Sequence, residues 1–405
     1  MKIWHILDHF LPYLSGYSIR SKNIIECQMR LGFSITVITS PKHLLSSNNE
    51  SIMKEVSYYS SYFPSNRVIK QINKIPFLRE ILLINQLKKD ILKLIRKLGS
   101  PDIIHAHSPT LCGLPALFIA QRYKIPIVYE VRALWEEAAI DLGRFKKNSF
   151  KYKLSKLIET NLLKRVDAIT TICQGLKDNM VLRGINENKI YIIPNGVDTS
   201  KFTPKDKNTP LIQKYQLQDK IVLGFIGSFY NYEGLEYLIW AMDKISKYND
   251  NIRLLLVGGG EEENNLKKLT QELNLANKII FTGQISHNEI LNYYSVIDIL
   301  IYPRINIPLT NLVTGLKLLE AMSMEKAIIA SDVGGNIELI KDGITGLLFK
   351  SGNIDDLITK CLLLVDNKEK RYEIGHQARS DMINNRNWRK IILKYSEIYK
   401  QLGGK

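Results

Sequence analysis

Cysteine is sparse in this 405-residue chain, and the four present, Cys27, Cys112, Cys173 and Cys361, are scattered with no CxxC pair. That argues against a disulfide framework and a cysteine-built metal site, and it fits a reducing, cytosolic setting. Long apolar runs are missing too: none approaches the roughly 18 residues that a membrane span needs. The start, MKIWHILDHF, meets Asp8 too early for the apolar core of a secretory leader. A complete dinucleotide fingerprint is also lacking. LLLVGGGEEENNL (254–266) puts Glu263 where the third glycine belongs, and Glu261, Glu262 and Glu263 would repel a pyrophosphate. A tight turn followed by acids that suit a helix N-terminus reads better, which disfavours a nicotinamide-dependent oxidoreductase. There is no internal repeat and no low-complexity segment.

What is present is the composition of a soluble globular protein, 45% apolar and 24% charged, long enough for two or three domains. The net charge of +16 is unevenly placed: residues 1–195 carry +14 and residues 196–405 only +2. A basic half implies an anionic partner, or simply solubility. No recognised nucleic-acid module accompanies it, so no nucleic-acid partner is expected.

Short β-branched runs alternate with helical patterns, the signature of a parallel α/β sheet. The strand candidates are 2–7, 34–40, 102–107, 126–131, 168–172 and 190–194 in the first half. In the second they are 221–227, 252–258, 278–283, 298–303 and 327–331. A helix is expected over 75–99, with Leu83, Leu87, Ile91, Leu94 and Leu98 on one face and Gly99 as its stop. The turn-rich segment 192–210 marks a domain boundary. The expected division is 1–194, 195–384 and 385–405, the last a helix packing back on the first domain. Each domain reads as a doubly wound Rossmann-like sheet, with ligands beyond the carboxyl ends of its strands.

In the second half, Gly227 and Ser228 end a strand and Gly234 opens a helix, where small residues let backbone N–H groups approach an anion. In LTNLVTGLKLLEAM (309–322), Thr314 and Gly315 suit a helix start. Lys317 in the first turn is unfavourable unless an anion faces it, and Glu320 lies one turn on. The pair reads either as a site for a diphosphate and a ribose or as a surface ion pair worth about 0.2–0.5 kcal/mol.

Residues 318–349 resemble the donor-binding region of family 4 glycosyltransferases of the GT-B fold, in which two such domains face each other across a cleft. The segments 11–41, 102–109, 191–202 and 225–239 resemble further motifs of that family in the same order. By this resemblance Glu320 binds the nucleotide ribose, Gly16 brings N–H groups to the diphosphate, Gln284 and Ile285 line the base, and Thr314 and Gly315 face the diphosphate and sugar. Gly227, Ser228, Glu233 and Lys317 complete the donor set, and the resemblance makes 195–384 the nucleotide-sugar-binding domain and 1–194 the acceptor-binding domain. The sequence departs from the common pattern at three places. Leu312 stands where an acid is usual, and Ser228 and Glu233 replace an Arg and a Lys of the phosphate loop. Two positive charges at the diphosphate are thereby absent, and Lys317 returns one. The pattern is similar to the branch linked to exopolysaccharide and cell-surface glycan assembly.

In the first half, the polar turns offer Asp8, His9, Tyr17, Glu130 and Arg132 as acceptor-binding residues. The HAH of 105–107 puts both rings on one strand face, but no nearby Cys or acid completes a zinc site. A packed His105 with a cleft-facing His107 is expected instead. Arg132 sits where many family members carry an active-site His. It holds an acceptor phosphate or pairs with Glu136. Lys317, His107 and Arg132 are the candidate catalytic residues. Basic stretches at 67–97 and 144–159 are solvated faces or lie on an anionic membrane; lipid-linked acceptors, common among the resembling transferases, favour the membrane.

The resemblance implies a retaining, metal-independent transfer from a nucleotide-diphospho-sugar, UDP-sugar favoured, to a hydroxyl of a lipid-linked or glycan acceptor, with no cofactor. The enzyme would be cytoplasmic, peripheral on the inner face of the cell membrane, and would serve cell-surface polysaccharide synthesis. The competing readings are a sugar-nucleotide epimerase of the same fold and a catalytically weak nucleotide-sugar-binding partner in a glycan-assembly complex.

Overall fold

The computed structural model describes residues 1–13, 15–43, 56–62, 76–141, 145–146, 148–286 and 288–403. The chain divides into two compact units, Met1–Pro194 together with Trp388–Lys405, and Asn195–Asn387.

The first unit holds seven parallel strands, β1 (Lys2–Leu7), β2 (Ser34–Thr39), β3 (Ser57–Ser60), β4 (Ile103–His107), β5 (Ile127–Val131), β6 (Ala168–Thr171) and β7 (Ile190–Ile192). Their order is β3-β2-β1-β4-β5-β6-β7. The second unit holds β8 (Ile221–Ser228), β9 (Ile252–Gly259), β10 (Ile279–Phe281), β11 (Ile299–Tyr302), β12 (Ala327–Ser331) and β13 (Leu347–Phe349), ordered β10-β9-β8-β11-β12-β13. Strand order reverses at β1/β4 in one sheet and at β8/β11 in the other. Those switch points open the crevices in which such sheets bind ligands.

All eleven expected strands are present. The two that the sequence did not mark, β3 (SYYS) and β13 (LLF), are short edge strands without a β-branched residue. The helix Pro76–Leu98 forms as expected, but its buried stripe runs Leu83, Leu87, Ile91, Ile95, while Leu98 is exposed. The inward face continues at a spacing of four, so the last turn contributes Ile95 rather than Leu94 and Leu98.

The helix Trp388–Gly403 belongs to the first unit. Trp388, Ile391, Ile392, Tyr395, Ile398 and Tyr399 follow the i, i+3, i+4, i+7 pattern of an amphipathic helix and share a core with Ile3, Leu7, Ile24 and Val37. Among the described residues no helix is long and apolar enough to cross a membrane. Of the basic stretches, residues 67–75, Arg144 and Lys147 lie outside the described residues. The helix Phe150–Arg165 leaves Phe150 and Leu157 exposed beside Lys151 and Lys153.

Candidate functional site

In the second unit β8 ends at Ser228, the loop after it carries Glu233, the loop after β11 carries Arg304, and the helix Leu316–Ser323 starts behind the N-cap Gly315. Arg304 donates from Nε and from one terminal nitrogen to the two carboxylate oxygens of Glu233, at 3.1 and 3.2 Å. Lys317 Nζ stands 4.0 Å from the same carboxylate. Burial would raise the Glu233 carboxyl, but Arg304 and then Lys317 hold it below the usual range. Lys317 is itself lowered by burial, against the pull of Glu233.

Two glycines make room for these cations. A Cβ on Gly227 would collide with Lys317, 2.6 Å from its Cε, and a Cβ on Gly315 would sit 3.0 Å from an Arg304 nitrogen. Glu320, one turn beyond Lys317, accepts from the Tyr294 hydroxyl at 3.1 Å, and burial pushes its carboxyl up to about 7. Tyr302 and Tyr294 hydroxyls reach the Lys317 carbonyl at 3.3 and 3.5 Å and so fix the first turn. Thr314 is buried, and its hydroxyl and carbonyl accept from the Asn195 amide at 3.1 and 3.2 Å. Gln284 is exposed and Ile285 half-buried after β10; Gln284 Cγ would lie 3.3 Å from a Cβ on Gly259 at the end of β9.

Glu233 corrects the sequence reading. The expected donor-contacting Glu233 is instead a 2%-exposed carboxylate paired to two cations. A second cation beside this carboxylate is Arg304, which the sequence did not single out because its partner lies 71 residues earlier.

In the first unit, Asp8 and His9 leave β1 at the switch point. His9 contacts Asp8 Oδ2 at 3.3 Å and Ser15 Oγ at 2.8 Å. The Tyr17 hydroxyl accepts from the Asp8 N–H at 3.1 Å, and its ring lies 4.5 Å from the His9 ring and 4.3 Å from the Arg132 guanidinium. Gly16 is exposed as the first residue of the helix Gly16–Arg30. Asp8 and His9 line a cavity of 450 Å³ with Pro12, Tyr13, Lys42 and His43. Lys42 is paired to Glu80 at 3.0 Å. His43 is buried, and its Nε2 has no hydrogen-bond partner among the described residues.

His107, Arg132 and Glu130 fall elsewhere. They sit in a buried polar ring beneath the loops, hydrogen-bonded at every step but the one from His105 to Glu130. Arg132 donates to His107 Nδ1 (2.7 Å), and His107 Nε2 meets His5 Nδ1 (2.9 Å). His5 Nε2 meets Gln28 Oε1 (2.7 Å), and the Gln28 amide donates to Tyr399 (2.9 Å). Tyr399 meets His105 Nδ1 (2.7 Å), and His105 Nε2 faces Glu130 at 3.4 Å. Glu130 closes the ring by accepting from Arg132 (2.7 Å), and it also takes Arg20 (3.0 Å) and Tyr395. Each donor in this order meets an acceptor only if all three imidazoles are neutral, and burial lowers all three, His5 to about 3.

The expectations of a cleft-facing, catalytic His107 and of acceptor-binding Glu130 are therefore corrected: both are fully buried. Arg132 is corrected as well. It donates to Glu130, His107, the Tyr17 carbonyl and Ser21, while Glu136 pairs with Arg183. The nitrogens of His5, His105 and His107 lie within 4.8 Å of one another. They are already turned to each other, to Gln28, Tyr399 and Arg132, with Arg20 close by, and such a neighbourhood does not fit a metal cation.

Residues 15–201 match the family profile of Glycosyltransferase Family 4, and residues 208–381 that of Glycosyl transferases group 1. The chain belongs to the family 4 glycosyltransferases of the GT-B fold. An uncharacterised glycosyltransferase of Methanocaldococcus jannaschii is 29% identical over 73% of this chain and 73% of its own. The capsular polysaccharide biosynthesis glycosyltransferase CapM of Staphylococcus aureus is 27% identical over 82% of this chain and 86% of its own. Among solved structures, HepE of Anabaena in complex with UDP superposes with a TM-score of 0.77 at 16% identity, covering 99% of this chain and 100% of its own. The same protein has also been solved with UDP-glucose, at a TM-score of 0.76. In this glycosyltransferase, then, one of the two polar clusters is half-open at a switch point and the other is sealed.

Proposed function

We propose that the protein is a retaining glycosyltransferase that moves a sugar from a nucleotide-diphospho-sugar, UDP-sugar favoured, to a hydroxyl of a lipid-linked or glycan acceptor in cell-surface polysaccharide synthesis. The observation that carries this reading is the pair Lys317 and Glu320 on the helix Leu316–Ser323, one cation in its first turn and one carboxylate behind it. Similarity to CapM and to a protein solved with UDP and UDP-glucose supports the substrate class.

In this reading the helix N–H groups and Lys317 take up the charge of the leaving diphosphate as the sugar becomes cation-like. Glu320 accepts from two ribose hydroxyls. Exposed Gln284 and half-buried Ile285 flank the base, and the N–H groups at exposed Gly16 serve the diphosphate. The leaving phosphate oxygen takes the acceptor proton on the same sugar face. The positive charge at the strand ends serves in place of a metal ion. The acceptor enters the cavity of Asp8, His9 and Tyr13, with Tyr17 holding the Asp8 backbone. The +14 charge of residues 1–195 and the exposed Phe150 and Leu157 beside lysines support a peripheral place on the inner face of an anionic membrane.

The experiment is a thermal-shift screen of the protein with UDP, GDP, ADP, their sugar conjugates and NAD, followed by transfer assays with the donor found. A ligand bound only by the folded state raises the melting temperature. Stabilisation by one nucleotide-sugar, lost in Glu320→Ala, is the expected result. Stabilisation by NAD alone, or release of free nucleotide with rearranged sugar and no acceptor product, would overturn the reading.

A further inference from the structure

Glu233 stands in the loop after β8 where the family resemblance leads one to expect a lysine, and an acid there would repel a diphosphate if its charge were free. It is not free. Arg304 holds both of its oxygens, Lys317 stands 4.0 Å away, and the carboxylate is buried. Two cations against one anion leave the cluster with a net charge of +1.

Arg304 is also fixed from behind. Its carbonyl accepts from the hydroxyls of Ser331 at 2.7 Å and Ser351 at 3.0 Å, and its NH1 group reaches the Val313 carbonyl at 3.4 Å. A guanidinium has five N–H donors. Among the described residues three are engaged, two by Glu233 and one by Val313, and two are not. Gly315, the N-cap of the helix that carries Lys317, is the residue against which the guanidinium lies.

We infer that Glu233 is a positioning residue that holds Arg304 and Lys317 side by side as a two-cation clamp for the diphosphate of the donor. The clamp moves onto the β11 loop and the helix Leu316–Ser323 the two charges that Ser228 and Glu233 fail to supply. This rests on the reading of the second unit as the donor site. It adds a donor-contacting residue, Arg304, and turns an apparent loss of function at Glu233 into a rewiring. A guanidinium fork matches one phosphate, and Lys317 beside it offers a second cation for a second phosphate, so the clamp discriminates by the β-phosphate.

The test is calorimetric titration of the full chain with UDP, GDP, ADP and the corresponding monophosphates. The double variant Glu233→Gln/Arg304→Gln keeps a neutral hydrogen-bonded pair and leaves the cluster at +1. The expected result is a loss of about tenfold or more in affinity for the diphosphate that the parent binds, with the monophosphate nearly unchanged. Equal weakening of both, or of neither, would make the pair a structural ion pair and overturn the inference. Should the double variant melt before titration, Glu233→Gln alone decides. It adds net positive charge yet releases Arg304, so weaker diphosphate binding supports the clamp and tighter binding overturns it. A parent that binds none of the six nucleotides removes the donor reading itself, and the clamp with it.

Discussion

The two polar clusters are built from the same kinds of residues and treat them in opposite ways. In the first unit Arg20, Arg132, Glu130 and three histidines turn inward, face one another and are all buried. In the second unit Lys317 keeps a third of its side chain exposed, and Glu320 has its carboxyl pushed up to about 7 by burial. A charge whose partners are all protein specifies structure. A charge left partly unanswered beside a strand end is available to a ligand. Richness in His, Arg and Glu therefore does not by itself locate a site.

The largest expected effect breaks the sealed cluster. Glu130→Ala leaves Arg20 and Arg132 buried without their anion and should cost about 3–5 kcal/mol in urea denaturation. A stable variant that had lost only acceptor affinity would reverse the comparison and restore Glu130 to the acceptor site. Next comes the open cluster. Lys317→Ala should lower kcat by about 10²–10³-fold, the range for removing one preorganised stabiliser of a leaving charge. It should shift stability by no more than about 1 kcal/mol, because the group is partly exposed. Loss of folding in place of loss of turnover would make Lys317 a structural residue.

The difference between the clusters was only partly legible in the sequence. The central strands could be read because β-branched runs mark them, and the alternation of His105 and His107 put both rings on one face. Alternation does not say what covers that face. Here the cover is Tyr395 and Tyr399 on the helix Trp388–Gly403, nearly three hundred residues later. The helix start at Gly315 was readable from its local pattern. Arg304 was not, because its meaning depends on a carboxylate 71 residues away and on two glycines that leave it and Lys317 room. His43 and Lys42 were hidden for the same reason: only the fold brings them beside Asp8 and His9.

A smaller effect sharpens the open cluster by its pH dependence. Burial pushes the Glu320 carboxyl up to about 7 in the folded protein, from an ordinary value of 4.5. The folded state thus binds the extra proton between these values, and stability falls as pH rises from the lower through the upper one. Glu320→Gln removes that slope, so the gap between variant and parent should move in the variant's favour from pH 4.5 to pH 8. Donor affinity runs the other way. The ionised carboxylate is the better acceptor for ribose hydroxyls, so parent affinity should climb from pH 6 to pH 8. The variant should stay flat and bind about tenfold more weakly at pH 8. Parallel pH profiles for parent and variant would remove Glu320 from the ribose.

The smallest effect tests whether the cavity at β1, rather than the sealed ring beneath it, receives the acceptor. Tyr13 is 62% exposed on the cavity wall, so Tyr13→Ala should change stability by no more than about 0.5 kcal/mol. An aromatic face against a sugar ring is worth about 1 kcal/mol, which is roughly a fivefold rise in KM. That rise should appear for the acceptor and not for the donor. His43→Leu should act in the same direction on the acceptor with a stability change of no more than about 1 kcal/mol, because removing the unpartnered Nε2 offsets the loss of the bond to the Leu11 backbone. If both variants leave acceptor KM unchanged while a variant in the ring raises it, the acceptor does not bind at β1, and the sealed cluster opens during turnover.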